Sequence, residues 1–183
     1  MRKILIFLCL LIALGSFAQT SLKEYNKDVA LYRAKEYLIK NVLDDNTNES
    51  IKFGIDPLSS ASSGDLTSLV YSCKQKNIRG LLFGFFSNRW NPQGVIVNQY
   101  NFKNIPEIKA KELVKLIDKE IEENKSFLNK DPDNFNYYFK FDDLIILMYK
   151  KNGLKMRIFW DDYDALWNFT AFNRTKNRLL KKI

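Results

Sequence analysis

Apolar residues recur at helical spacing near the start of the chain and at strand spacing through its middle. Leu22, Tyr25, Val29, Tyr32, Ile39 and Leu43 form one helical stripe, interrupted by Glu36. Ser21 and Glu24 make a capping box ahead of it, and the polar run from Asp44 to Asn48 ends it. This predicts a helix packed on a sheet. Residues 51–56 read as a short strand and 58–64 as a small, polar loop. Leu66 to Cys73 alternates, Lys74-Gln75-Lys76 suggests a hairpin, and Asn77 to Trp90 reads as its second strand. Leu81 to Phe86 is apolar on both faces, the mark of a central strand covered on both sides. Residues 91–94 form a turn, and Val95 to Tyr100 a further short strand.

Pro106 suits the first turn of a helix, and Ala110, Leu113, Val114, Ile117, Ile121 and Leu128 continue at helical spacing opposite a charged face. Tyr137 to Lys151 and Leu154 to Asp161 then read as a hairpin closed by the two-residue turn Asn152-Gly153. From about Asp164 the chain reads as helix again, with Leu166, Phe169, Phe172, Leu179 and Leu180 apolar and a basic end from Arg174 to Lys182. Strands joined by short turns imply an α+β domain. It has an antiparallel sheet of about five to six strands, with an N-terminal, a central amphipathic and a C-terminal basic helix packed on it.

The first eighteen residues set the compartment. Arg2 and Lys3 precede an uncharged run from Ile4 to Leu14, and small residues at Ser16 and Ala18 place a cleavage site between Ala18 and Gln19. The run is too short to cross a bilayer. It resembles the signal peptides of exported proteins of Gram-negative bacteria, which implies a periplasmic or secreted protein. Residues 19–183 then form a single domain, with no later run long enough for a membrane helix.

The chain carries a net charge of +8, and losing Arg2 and Lys3 lowers it to +6. That favours anionic partners, while export argues against intracellular nucleic acid. The basic end of the last helix suits an anionic membrane surface, or simply complements its own helix dipole. Cys9 leaves with the signal, so Cys73 has no internal partner and reads as a small core residue.

The chain has no histidine. That excludes Ser-His-Asp and Cys-His catalysis and histidine-ligated zinc. Glycine-rich phosphate loops and a local Ser-x-x-Lys arrangement are missing too. Carboxylates remain. A two-residue turn at Asn152-Gly153 sets Asp143 opposite Asp162, with Asp142, Asp161 and Asp164 nearby. Such a pair serves sugar hydrolysis by acid and base, or an oxygen-rich calcium site, unless neighbouring cations neutralise it. Trp90, Tyr100, Trp160 and Trp167 belong either to the core or to a ligand groove. Absent motifs and modest basicity together favour a non-enzymatic, exported binding or interaction module without a cofactor. The carboxylate site and a membrane-surface role are the alternatives.

Overall fold

The computed structural model describes residues 28–44, 48–60, 66–90, 92–131 and 134–182. The expected leader, the expected processing site at Ala18 and Gln19, and the expected Ser21–Glu24 box lie outside the described residues. Helix α1 covers residues 28–38 and continues through a π-helical turn, Ile39–Leu43. Four strands follow, β1 (Gly54–Ser60), β2 (Leu66–Cys73), β3 (Ile78–Trp90) and β4 (Ile96–Pro106). Helix α2 (Glu107–Lys130) leads to β5 (Asn136–Phe141), β6 (Leu144–Lys150), β7 (Leu154–Trp160) and β8 (Tyr163–Asn168), and α3 (Phe169–Lys182) closes the order. The fold is α+β. In place of one sheet, the strands form two four-stranded antiparallel sheets, A (β1-β2-β3-β4) and B (β5-β6-β7-β8).

Sheet A is dry on both faces, as the apolar run Leu81 to Phe86 requires. Leu66, Val70, Leu81, Phe83 and Phe85 point to one side, where sheet B, α2 and α3 share a single core with them. Leu69, Tyr71, Cys73, Leu82 and Phe102 point to the other side and meet Ala34, Leu38 and Leu43 of α1. Cys73 is thus a buried core residue. The Lys76 ammonium donates to the Leu43 carbonyl, satisfying an acceptor at the end of α1.

Sheet B owes its four strands to two acidic turns. The expected strand Tyr137 to Lys151 breaks at Asp142-Asp143, because Phe141 pairs with Leu144 and leaves those two residues as the turn. Asp161-Asp162 makes the same connection between Trp160 and Tyr163. Asp142 and Asp161 adopt φ of 50° and 52°, a left-handed conformation that aspartate tolerates better than most residues. The last helix therefore starts at Phe169 instead of near Asp164. Ala165 and Trp167 alternate inward as strand residues, and the Asn168 side chain caps the helix by accepting from the Ala171 amide at 2.8 Å.

The β6–β7 register also differs by one residue from the two-residue turn. Lys150 pairs with Leu154, so Lys151, Asn152 and Gly153 form a three-residue loop. The cause is parity. Ile146 and Met148 of β6 must share a face with Met156 and Ile158 of β7, and directly paired residues share a face. A two-residue turn at 152–153 would have set Met148 against Arg157.

Trp167 joins the layers. Its ring lies 5.2 Å from Phe83 of sheet A and 5.2 Å from Phe172 of α3, edge-to-face in both cases. Helix α3 is further held by a buried 2.6 Å bond between the Ser68 and Thr175 hydroxyls. Arg178 donates to the Leu58 carbonyl at 2.5 Å, and Lys176 and Lys182 pair with Asp118 and Asp56. Trp167→Ala is expected to lower stability by about 3–5 kcal/mol in urea unfolding, the range for deleting a large buried aromatic side chain. Phe169→Ala, at a partly exposed ring beside Phe172, is expected to cost under about 1 kcal/mol.

Candidate functional site

The predicted acids occupy turns and a strand, and each acid with a described contact meets a cation. Leu144 faces Trp160, so the Asp142-Asp143 and Asp161-Asp162 turns emerge side by side at one end of sheet B. Asp143 and Asp162 are not opposed across a ladder. The Asp143 carboxylate accepts from Lys103 Nζ at 2.6 Å and from Trp160 Nε1 at 3.1 Å, and Lys103 also sits 5.5 Å over the Trp160 ring. Lys109 stands 3.6 Å from Asp142 and over the Phe141 ring. Asp164 pairs with Arg157. Partial burial pushes the Asp143 carboxyl up. The Lys103 hydrogen bond and charge outweigh that, with help from Trp160, and hold it below its ordinary value. Among the described residues, no group of three or more acid, cysteine or histidine side chains stands where it could hold a metal ion.

A groove lies between α1 and the edge strand β4 and reaches Tyr163, the residue after the Asp161-Asp162 turn. It encloses about 680 Å³. Its floor is a run of aromatic rings: Phe86 lies 4.9 Å from Tyr100, Tyr100 stacks at 6.4 Å on Phe102, and Phe102 lies 5.6 Å from Tyr37. Each such pair adds about 0.5–1.5 kcal/mol beyond its burial, so the floor is a firm surface. Burial raises the phenol pKa of both Tyr37 and Tyr100. Gln99 and Asn101 add amides along β4.

The wall comes from the exposed face of α1. Glu36 accepts from Arg33 at 2.9 Å on one carboxylate oxygen and from Lys40 at 2.8 Å on the other. These residues sit three and four positions apart, the spacing that makes helix neighbours. The hydrogen bond from Lys40, then that from Arg33, lowers the Glu36 pKa. Lys40 and Asn41 fall in the π-helical turn, and Asn41 returns its side-chain amide to the Tyr37 carbonyl at 3.0 Å.

Glycine makes the floor possible. A Cβ on Gly84 would come within 2.6 Å of Thr67 Oγ1 and 2.9 Å of the Phe102 ring. Gly84 therefore gives Phe102 room to lie flat over β3, and Gly80 does the same for Tyr71, whose hydroxyl donates to Asn104 at 2.8 Å. Of the four aromatics singled out from the sequence, Tyr100 lines the groove and Trp167 belongs to the core. Sequence reasoning missed Tyr37, Phe86 and Phe102 as groove residues. The available signal was the pair Gly80 and Gly84 inside an apolar strand, which marks close approach of neighbouring groups.

Compared with protein-family models, curated proteins and solved structures, the chain matches none.

The turn geometry separates a structural from a chemical role for the acids. Asp142→Gly is expected to leave urea stability unchanged or raised by up to about 1 kcal/mol, whereas Asp142→Val should cost about 1–2 kcal/mol at its left-handed φ. Asp143→Asn should cost under about 1 kcal/mol at neutral pH, since the ion pair with Lys103 is half-exposed. A carboxylate with a lowered folded-state pKa stabilises above its ordinary range and loses that contribution as pH falls through the lowered value. The gap between parent and Asp143→Asn should therefore close by about pH 2.

Proposed function

We propose that this protein is an exported, non-enzymatic binding module and that the groove between α1 and β4 holds its ligand. The observation that carries the reading is the aromatic floor set against a charged and amide-bearing wall. The cleft has a few hundred cubic ångströms of room, and aromatic rings and polar side chains share its lining about equally, which suits a small ligand that is itself amphipathic. The two sides call for a ligand with one flat apolar face and a polar edge, which is the chemistry of a saccharide ring.

The state of Glu36 supports binding over catalysis. Both of its oxygens are occupied by cations, and its pKa is lowered, whereas a general acid needs a pKa near the working pH. Glu36 is the one acid among the described lining residues, and glycoside hydrolysis ordinarily takes two carboxylates. Export rests on the apolar leader and its small-residue cleavage site.

Isothermal titration of the chain from Gln19 onward against a panel of soluble oligosaccharides tests this reading. At least one is expected to bind. Tyr100→Ala is expected to weaken that binding by about tenfold or more, with the far-ultraviolet spectrum unchanged. Gly84→Val, which displaces Phe102, should weaken it as well. Saccharide binding that survives Tyr100→Ala, or a panel with no binder, would overturn the assignment.

A further inference from the structure

Sheet B has a second face, and nothing among the described residues covers it. Side chains alternate along each strand, so Ile146, Met148, Met156, Ile158, Ala165 and Trp167 face the core. Their neighbours face outward. Tyr138 pairs with Leu147, Ile145 with Phe159, and Leu166 with Arg157 across the ladder. None of these outward apolar residues belongs to either core cluster, and Tyr138 and Ile145 are 65% and 37% exposed. Strand β6 is therefore apolar on both faces while only one face is buried, unlike β3. A solvated sheet face ordinarily reads as polar.

The charges on this face have one sign to spare. Arg157 is paired with Asp164. Lys140 and Lys155 stand on either side of the apolar strip, and neither ammonium has an ion pair or hydrogen bond among the described residues. A second copy stacked face to face would set lysine against lysine with no free acid to answer it. Area argues against an acidic protein. Three inter-strand spacings of about 4.8 Å and seven residues at about 3.3 Å each outline a flat patch of roughly 300 Å² before side-chain relief is counted, small beside the about 800 Å² of accessible surface per partner in a stable protein interface. A lipid surface needs no shaped counterpart, and binding there scales with the apolar area and the positive charge that a face presents. Lysine and tyrosine suit its boundary, because their stems lie in apolar surroundings while their heads stay wet.

From this we infer that the outer face of sheet B seats the protein on an anionic lipid surface, with Lys140 and Lys155 at the head groups and Ile145, Leu147 and Phe159 against the acyl boundary. This docking is independent of the groove and uses a different surface from the basic end of α3, where Lys176, Arg178 and Lys182 are bound within the fold.

Vesicle co-sedimentation tests it, using the chain from Gln19 onward, which holds every described element. The parent is expected to sediment with phosphatidylcholine vesicles containing about one-third phosphatidylglycerol and not with phosphatidylcholine alone. Lys140→Glu with Lys155→Glu should reduce the bound fraction about tenfold or more, and Ile145→Ser with Phe159→Ser should also reduce it. Arg174→Glu with Lys181→Glu, on α3, should leave it unchanged. The lysine variants alter an exposed position, Lys140, and a half-buried one, Lys155, and serve as the test if the serine variants fail to fold. Failure of the parent to bind, equal binding of the lysine variants, or loss of binding through α3 overturns the inference. So does a parent dimer in analytical ultracentrifugation that Ile145→Ser with Phe159→Ser dissociates, since the face would then pair copies of the chain.

Discussion

The larger core of this fold is arranged around the aromatic contact of Trp167 with Phe83 and Phe172. One indole touches the central strand of sheet A, belongs to the edge strand of sheet B and meets the last helix, so the three pack as one core. Two sheets of four strands leave each other many ways to slide. A large ring wedged edge-to-face between two others removes most of them, because interiors are close-packed and tolerate few voids. The buried Ser68–Thr175 bond adds direction to that packing, since a hydroxyl pair left unmatched in the core costs far more than it returns when made.

The central strand imposes a second constraint, on the side away from sheet B. Rings from β2 and β4 must cross β3 to meet α1, and a pleated strand with ordinary side chains has no room for them. Gly80 and Gly84 supply that room. Glycine weakens a strand by itself, so the loss must be recovered in the ring contacts that it admits. Phe102 is held between Tyr37 and Tyr100 for this reason, and the groove floor follows from how β3 is covered. The groove therefore sits on a firm part of the molecule.

Much of the architecture was legible in the sequence. The stripe on α2 and the two-sided run Leu81 to Phe86 gave the right elements in the right places, because helical period and unbroken hydrophobicity are strong local signals. The number of strands after α2 is not legible at Asp142-Asp143. There two acids inside an apolar run were read as an interruption of one strand when they form a turn. The register error at Asn152-Gly153 has a related origin. Turn chemistry alone favours a two-residue loop, but the inward set Ile146, Met148, Met156 and Ile158 shares one parity and can be paired only through an odd-length loop. The facing acids at 143 and 162 were a product of that slip. The groove was illegible for a different reason: Tyr37 and Phe102 are far apart in sequence, and each reads alone as an ordinary core aromatic.

The excess positive charge has to be read by position instead of as a total. Lys76 and Arg178 are spent on carbonyls at the end of α1 and in β1, and Lys103, Lys176 and Lys182 on single carboxylates. Arg33 and Lys40 share Glu36, which leaves the groove wall with one net positive charge. Cations used in this way hold elements in place and contribute little to the field felt by a distant partner. What distinguishes Lys140 and Lys155 is that their charge has no partner among the described residues and stands beside an apolar strip. Charge and apolar surface coincide there, and that coincidence gives the basic composition a direction in space.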